Sequence, residues 1–236
     1  MKIGKLSLGL ILGIFLFVSC SKEEDDLISQ NCESDCTQII GKIMTDNGTV
    51  PISDVKLKVI WDNTPYLGSG TIRTKATTRT DSEGNFVLNF YIRDDEIEDG
   101  GFRIEYELNE NKYLSSHLNR ITIFQIDRDT TLNLNYNIPK KAYLNLSLLN
   151  LDNVQSPDWF ATGFGYEAPE GFTQSVNGQH IGWNNQSNQN NLIEIPGNQN
   201  VKIEVFRGVN NITTTEIDNI LIEAGTTFDY SIDFNN

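Results

Sequence analysis

The chain has 236 residues, of which 18 are basic and 32 acidic, for a formal net charge of −14. So acidic a balance argues against nucleic acid, whose phosphates call for basic patches, and against an anionic membrane surface, and it suits solubility at a crowded surface. The length accommodates two small domains or one large β domain. Val, Ile, Thr, Tyr and Phe recur in short runs between turn residues, with no amphipathic helical pattern longer than two turns, so an all-β protein is predicted.

Lys2 and Lys5 precede an apolar run over 6–18. As a helix this run would span roughly 20 Å, short of a bilayer core of about 30 Å, and it fits a cleaved secretory leader over 1–19. It ends in Phe17-Val18-Ser19-Cys20, which resembles a bacterial lipobox with Phe where Leu is usual. The resemblance implies cleavage before Cys20 and acylation of Cys20, making outer-membrane lipid the first partner of the chain. More than one acyl chain gives a stable hold where one is marginal. The plainer alternative is an ordinary signal peptide with an incidental cysteine.

Ser21-Lys22-Glu23-Glu24-Asp25-Asp26 is similar to the acidic export signal that some Gram-negative bacteria place after a lipidated cysteine. That similarity implies display on the outer membrane, facing the cell exterior. The same run reads as a solvated tether, part of a segment over 20–36, because like charges repel and extend. Eleven extended residues would reach about 35–40 Å. If Cys20 carries lipid, Cys32 and Cys36 remain. An oxidising compartment favours a disulfide between them, with a small loop worth about 2 kcal/mol. Zinc would need more ligands, and the histidines, His117 and His180, lie far along the chain. No metal site and no cofactor are expected.

The folded part opens at 37–44 with Ile39, Ile40 and Ile43, followed by the turn signal Asp46-Asn47-Gly48. Val55, Leu57, Val59 and Trp61 alternate with Lys56 and Lys58, a half-buried strand. The Thr-rich stretch over 71–80 fits an edge or a solvated face. Asp81-Ser82-Glu83-Gly84 is a turn, since Asp bonds its own backbone and Gly accepts positive φ. Further strands are predicted over 85–92, 102–108, 121–126 and 131–138. Between them, the acidic stretch over 94–100 reads as a solvated hairpin end. It lacks the spacing of a dedicated calcium loop.

Three pieces of this region carry a family resemblance: Gly41-Lys42-Ile43, Pro51-Ile52-Ser53-Asp54-Val55, and Thr80-Asp81-Ser82-Glu83-Gly84-Asn85-Phe86. Together they resemble the carboxypeptidase regulatory-like domain, with Ile43 where Val is usual and Asp54 where Gly is usual. The resemblance covers 37–138 and implies a seven-stranded, transthyretin-like β-sandwich over 37–139. It implies a non-catalytic scaffold of the kind found beside peptidase domains, in outer-membrane receptors and in surface lipoproteins.

Pro139-Lys140-Lys141 marks the expected boundary. Strands predicted over 142–149, 201–207, 217–223 and 228–234 make 140–236 a second, smaller β-sandwich, expected to be Ig-like in plan; a single larger sandwich is the alternative. The stretch over 158–191 stands apart. It carries Trp159, Phe160, Phe164, Tyr166, Phe172 and Trp183 among glycines, then a run of Asn and Gln. Exposed rings beside amides are what sugar binding needs, so Trp159, Tyr166 and Trp183 are the candidate ligand-binding residues. The competing reading is a core strand followed by a polar loop.

Catalytic signals are sparse. His117 follows two serines, and His180 has no nucleophile or acid at useful local spacing. Neither a Gly-x-Ser-x-Gly nor a His-Glu-x-x-His motif is present. The leading expectation is a non-catalytic surface lipoprotein that binds an unidentified protein or glycan, with a glycan-binding lipoprotein built around 159–183 as the alternative. A fimbrial subunit ranks below both: such subunits are usually cleaved after a basic residue, and no arginine precedes Arg73.

Overall fold

The computed structural model describes residues 21–114, 119–123, 126–173 and 178–235. The predicted leader, Cys20, His117 and two residues of the strand expected over 121–126 lie outside them. The described chain is all-β. Its buried apolar side chains fall into two clusters, one over 39–138 and one over 142–234.

The first cluster lies between two sheets. The strands that form them are β1 (Lys22–Asp25), β2 (Thr37–Thr45), β3 (Val50–Pro51), β4 (Lys56–Asp62), β5 (Thr71–Arg79), β6 (Asn85–Phe90), β7 (Gly101–Glu107), β8 (Arg120–Ile123) and β9 (Thr131–Asn137). One sheet has the order β1-β5-β4-β7-β8; in the other, β2 pairs with β3 and β6 and also with β9. Alternation selects the core: Leu57, Val59 and Trp61 of β4 meet Phe86, Leu88 and Phe90 of β6 and Ile39 and Ile43 of β2. Gly41 is required where β9 crosses β2, because a Cβ there would stand 1.9 Å from the Leu134 carbonyl oxygen. Asp54 takes φ +59°, a left-handed conformation that glycine adopts without strain and that Asp tolerates.

Residues 22–30 are not the free tether expected from their charge. β1 pairs in parallel with β5, Lys22 opposite Thr71 through Asp25 opposite Thr74. A short helix, α1 (Leu27–Gln30), follows. The cause is one buried ion cluster. β5 carries a bulge where it pairs with β4: Val59 faces Ala76 and Ile60 faces Thr74, which leaves Lys75 as the extra residue. A bulge re-aims the side chain at its extra residue, and Lys75 is 0 % exposed. Its Nζ donates to Asp26 Oδ2 at 2.5 Å and to both Glu96 carboxylate oxygens at 2.7 and 2.8 Å. Arg93 donates to Asp26 from Nε at 2.9 Å and from a terminal nitrogen at 2.6 Å. Arg73 donates to Glu96 at 3.0 Å while its guanidinium lies over the Trp61 ring.

Glu96 comes from the stretch expected to be a solvated hairpin end. That stretch is instead the helix α2 (Asp94–Glu98), with Glu96 turned inward and also accepting from the Arg93 backbone N–H at 2.9 Å. β1 covers Thr71 to Thr74 of the Thr-rich stretch, so that part of it is not a sheet edge. Past α1, Cys32 and Cys36 are joined as a disulfide, with Cα atoms 5.8 Å apart.

The second cluster also lies between two sheets. They contain β10 (Lys141–Leu149), β11 (Trp159–Gly165), β12 (Gln179–Trp183), β13 (Asn190–Pro196), β14 (Asn200–Val209), β15 (Ile212–Leu221) and β16 (Thr227–Asp233). The orders are β13-β10-β16 and β12-β11-β14-β15. Leu144, Leu146 and Leu148 of β10 face Phe160 and Phe164 of β11 and Val201, Ile203 and Val205 of β14. Only Ile138, Pro139 and Lys140 separate β9 from β10.

The two sandwiches meet through polar bonds. Asp46 accepts from Lys140 Nζ at 2.6 Å and from Asn198 Nδ2 at 3.0 Å. Asn137 Nδ2 donates to Gln199 Oε1 at 3.0 Å in a buried setting. Phe172 lies against Gly48, where any Cβ would clash with its ring.

The cluster around Lys75 yields two tests in the soluble form, residues 21–236. Lys75→Met leaves two buried carboxylates short of a cation, and breaking a buried pair in this way costs about 3–5 kcal/mol; urea unfolding of the first sandwich should report a loss of that size. Acid gives the second test. Burial pushes the Asp26 carboxyl up, but hydrogen bonds from Arg93 and Lys75 outweigh it and hold the group at about 2, below its ordinary 3.8. The stabilisation this provides is complete above the unfolded value and is lost as pH falls from about 4 toward 2. Unfolding free energies measured across that window should decline more steeply in the native sequence than in Asp26→Asn.

Candidate functional site

The candidate site is the outer face of the sheet β12-β11-β14-β15. Side chains alternate along a strand, so β11 sends Phe160, Thr162 and Phe164 inward and Trp159, Ala161, Gly163 and Gly165 outward. The inward three are buried. Opposite the outward four, β14 presents Gly208, Phe206, Glu204 and Lys202, and β12 presents Gly182 and His180. Beyond Trp159, β11 therefore presents only Ala161, Gly163 and Gly165 on this face, beside Phe206, Glu204 and Lys202 of β14.

Two of its glycines do different things. At Gly163 the space is taken by the His180 ring, whose nearest atom would lie 2.8 Å from an added Cβ. At Gly165 and Gly182 nothing stands within 4 Å of that position. Glycine in a strand interior weakens it and often marks a close approach by a ligand or another backbone. Around Gly165 the face deepens into a trough of about 530 Å³, bounded by Tyr166, His180, Lys202, Glu204, Asn219 and, from the first sandwich, Asn47. Lys202 and Glu204 pair at 2.7 Å. The volume falls within the range of small-ligand sites, roughly 300–1,000 Å³. Most such sites have apolar linings, whereas this one is lined by amides, an ion pair and two rings.

The three predicted ligand-binding residues separate here. Tyr166 lines the trough. Trp159 is on the same outer face, 43 % exposed, with its ring lying across Gly208. It stands six residues along β11 from Gly165, about 20 Å at strand rise. Trp183 does not join them. It pairs with Phe160, points inward with it and is only 9 % exposed, and its Nε1 donates to Thr162 Oγ1 at 2.9 Å. A platform of Trp159 and Trp183 side by side is ruled out by that alternation. His180 is a residue whose place the sequence did not show: it is exposed on the outer face beside Glu204.

Among the described residues no group of three His, Cys, Asp or Glu side chains is placed to hold a metal ion. The buried Lys75 cluster is not a reaction site open to a substrate, because all its hydrogen-bonding capacity is directed at Asp26 and Glu96.

No family model matches the chain, and no curated protein matches its sequence. Solved structures with some likeness include a streptococcal ancillary pilin, 11 % identical over 86 % of this chain and 63 % of that one, at a TM-score of 0.30. The Bacillus anthracis TIE protein is 10 % identical over 84 % of this chain and 34 % of that one, also at 0.30. The shaft pilin SpaA from Lactobacillus rhamnosus GG is 6 % identical over 84 % and 97 % of the two chains, at 0.31. The chain thus spans less than two thirds of the first two. At these TM-scores the likeness carries no functional assignment.

Proposed function

We propose that this chain is a non-catalytic lipoprotein, anchored in the outer membrane through acylated Cys20 and displayed at the cell surface, whose second sandwich binds a ligand on its outer sheet face. The first sandwich, on this reading, is a carboxypeptidase regulatory-like scaffold. The observation that carries the binding role is the trough at Gly165, lined by amides, an ion pair and two rings. The anchor rests on the sequence around Cys20. Labelling cells with an alkynyl fatty acid should mark the native chain, and Cys20→Ser should abolish the label and release the chain from the membrane fraction. Label retained in Cys20→Ser would overturn the anchor.

A glycan is the ligand class that the trough favours over an apolar small molecule. Hydroxyls find donors and acceptors in Asn47, Asn219, Lys202 and Glu204, and the faces of Tyr166 and His180 can meet C–H groups. Trp159 extends the same face for a longer chain of sugars. A glycan array probed with residues 21–236 should show binding that Tyr166→Ala and Glu204→Gln weaken by about tenfold or more, the equivalent of 1.4 kcal/mol. Trp159→Ala should weaken only the longer glycans. An empty array would sink the glycan reading and direct the search to a protein partner for the same face.

A further inference from the structure

We infer that the loop over 63–70 is a membrane-contacting element: its tip, Tyr66 and Leu67, rests in the lipid interface beside acylated Cys20 and fixes the orientation of the whole chain. The inference deepens the lipoprotein reading and rests on it.

Chain continuity leads to this surface. Folding starts almost at the anchor. The Lys22 N–H donates to the Gly70 carbonyl at 2.9 Å, and Ser21 Oγ lies 3.0 Å from Thr64 Oγ1. Cys20 is two residues before Lys22, so their Cα atoms are at most about 8 Å apart. On the lipoprotein reading, the acyl chains are thus attached within two residues of Lys22, which is bonded to the neck of this loop.

The loop is built to project its tip. Its neck is closed by the Thr71 N–H donating to Asn63 Oδ1 at 2.8 Å and by the Thr64 N–H donating to Asp62 Oδ1 at 2.8 Å. Gly70 is so close to Thr64 that a Cβ would stand 2.4 Å from the Thr64 Cα. Beyond this neck Tyr66 is 100 % exposed and Leu67 84 % exposed. A wholly exposed Tyr next to an exposed Leu gains nothing from the fold. At a membrane–water boundary an amphipathic ring and a small apolar group are both favourable. Two side chains are too little for binding alone, but enough to dock a domain already held by acyl chains.

The remainder of the architecture agrees with this orientation. β4 begins near Asp54, whose N–H bonds the Thr80 carbonyl, and the turn after Thr80 bonds β2 at Ile43, close to the Asp46–Gly48 contact with the second sandwich. β4 ends at Asp62, the foot of the loop. The loop and the second sandwich are thus at opposite ends of the first sandwich. With the loop in the interface, the Asp46–Gly48 turn and Asn47 at the edge of the trough are at the end away from the membrane.

The test uses the full acylated chain in phosphatidylcholine vesicles; a zwitterionic lipid is chosen because Asp62 and Asp99 stand at the foot of the loop. With Cys20 acylated and Cys32 bonded to Cys36, Leu67→Cys supplies a single free thiol for an environment-sensitive fluorophore. Ser82→Cys, in the turn at the far end of β5, is the control. We expect blue-shifted emission at 67, quenched several-fold more strongly by a lipid-borne nitroxide than at 82. Without any label, amide exchange over 64–70 should be slower on vesicles than in residues 21–236 free in solution. A chain that does not float with the vesicles would mark failure of the lipoprotein reading. A chain that floats, with aqueous emission at 67 and unchanged exchange over 64–70, would overturn the loop contact while leaving the anchor standing.

Discussion

The first sandwich is organised around a single ammonium group in its interior. A buried lysine needs carboxylates that are themselves buried and held, and Lys75 draws them from Asp26 and Glu96, 49 and 21 residues away in the chain. Each brings its own element: Asp26 follows β1 and caps α1 by accepting from the Ser29 N–H, and Glu96 is the inward residue of α2. Ion clusters of this kind are weak evidence of net stability, since apolar residues of equal volume often serve as well. What the cluster specifies is register. A one-residue slip of β1 along β5 would turn Asp26 to the other face of the sheet, taking from Arg93 the carboxylate it bonds and leaving Lys75 with Glu96 alone. The cluster therefore decides that the chain is folded from Lys22 onward.

That decision was invisible in the sequence for a physical reason. The stretch from Ser21 to Asp26 shows only repelling charges, and nothing local reports that a bulge 49 residues on presents a cation to it. The Thr-rich stretch around Lys75 and the acidic one around Glu96 read as solvated for the same reason. Where pattern alone sets the outcome, the sequence was legible. The alternation in β4 and β6, the Asp81–Gly84 turn, in which Asp81 Oδ1 accepts from the backbone N–H groups of Glu83 and Asn85, and the all-β class could all be read from it. The candidate site was legible in part. The aromatic cluster over 158–191 pointed to the sheet that carries the trough, but the faces of Trp159 and Trp183 depended on cross-strand register, and register between β11 and β12 cannot be read from either strand by itself.

The contact between the sandwiches has a bearing on the site. The turn predicted from Asp46-Asn47-Gly48 is also the hinge-point of the assembly. Asp46 takes both Lys140 and Asn198, Gly48 admits the Phe172 ring, and Asn47 reaches the trough. Ile138, Pro139 and Lys140 are the whole connection, and the Asn137–Gln199 bond is buried, while Asn47 is the first sandwich's residue on a trough otherwise lined by the second. A polar interface fixes direction more sharply than an apolar one because misaligned buried polar groups are costly.

A free acidic tether would leave residues 22–30 to sample many conformations. Folding from Lys22 removes that freedom by pairing β1 with β5. The entropy of a tether is lost on folding, and the buried salt cluster is the interaction that opposes that loss at the N-terminal end. The acidic residues that seemed to extend the chain instead dock it: Asp26 is consumed in the interior, and Glu24 pairs with Lys22 and Arg73.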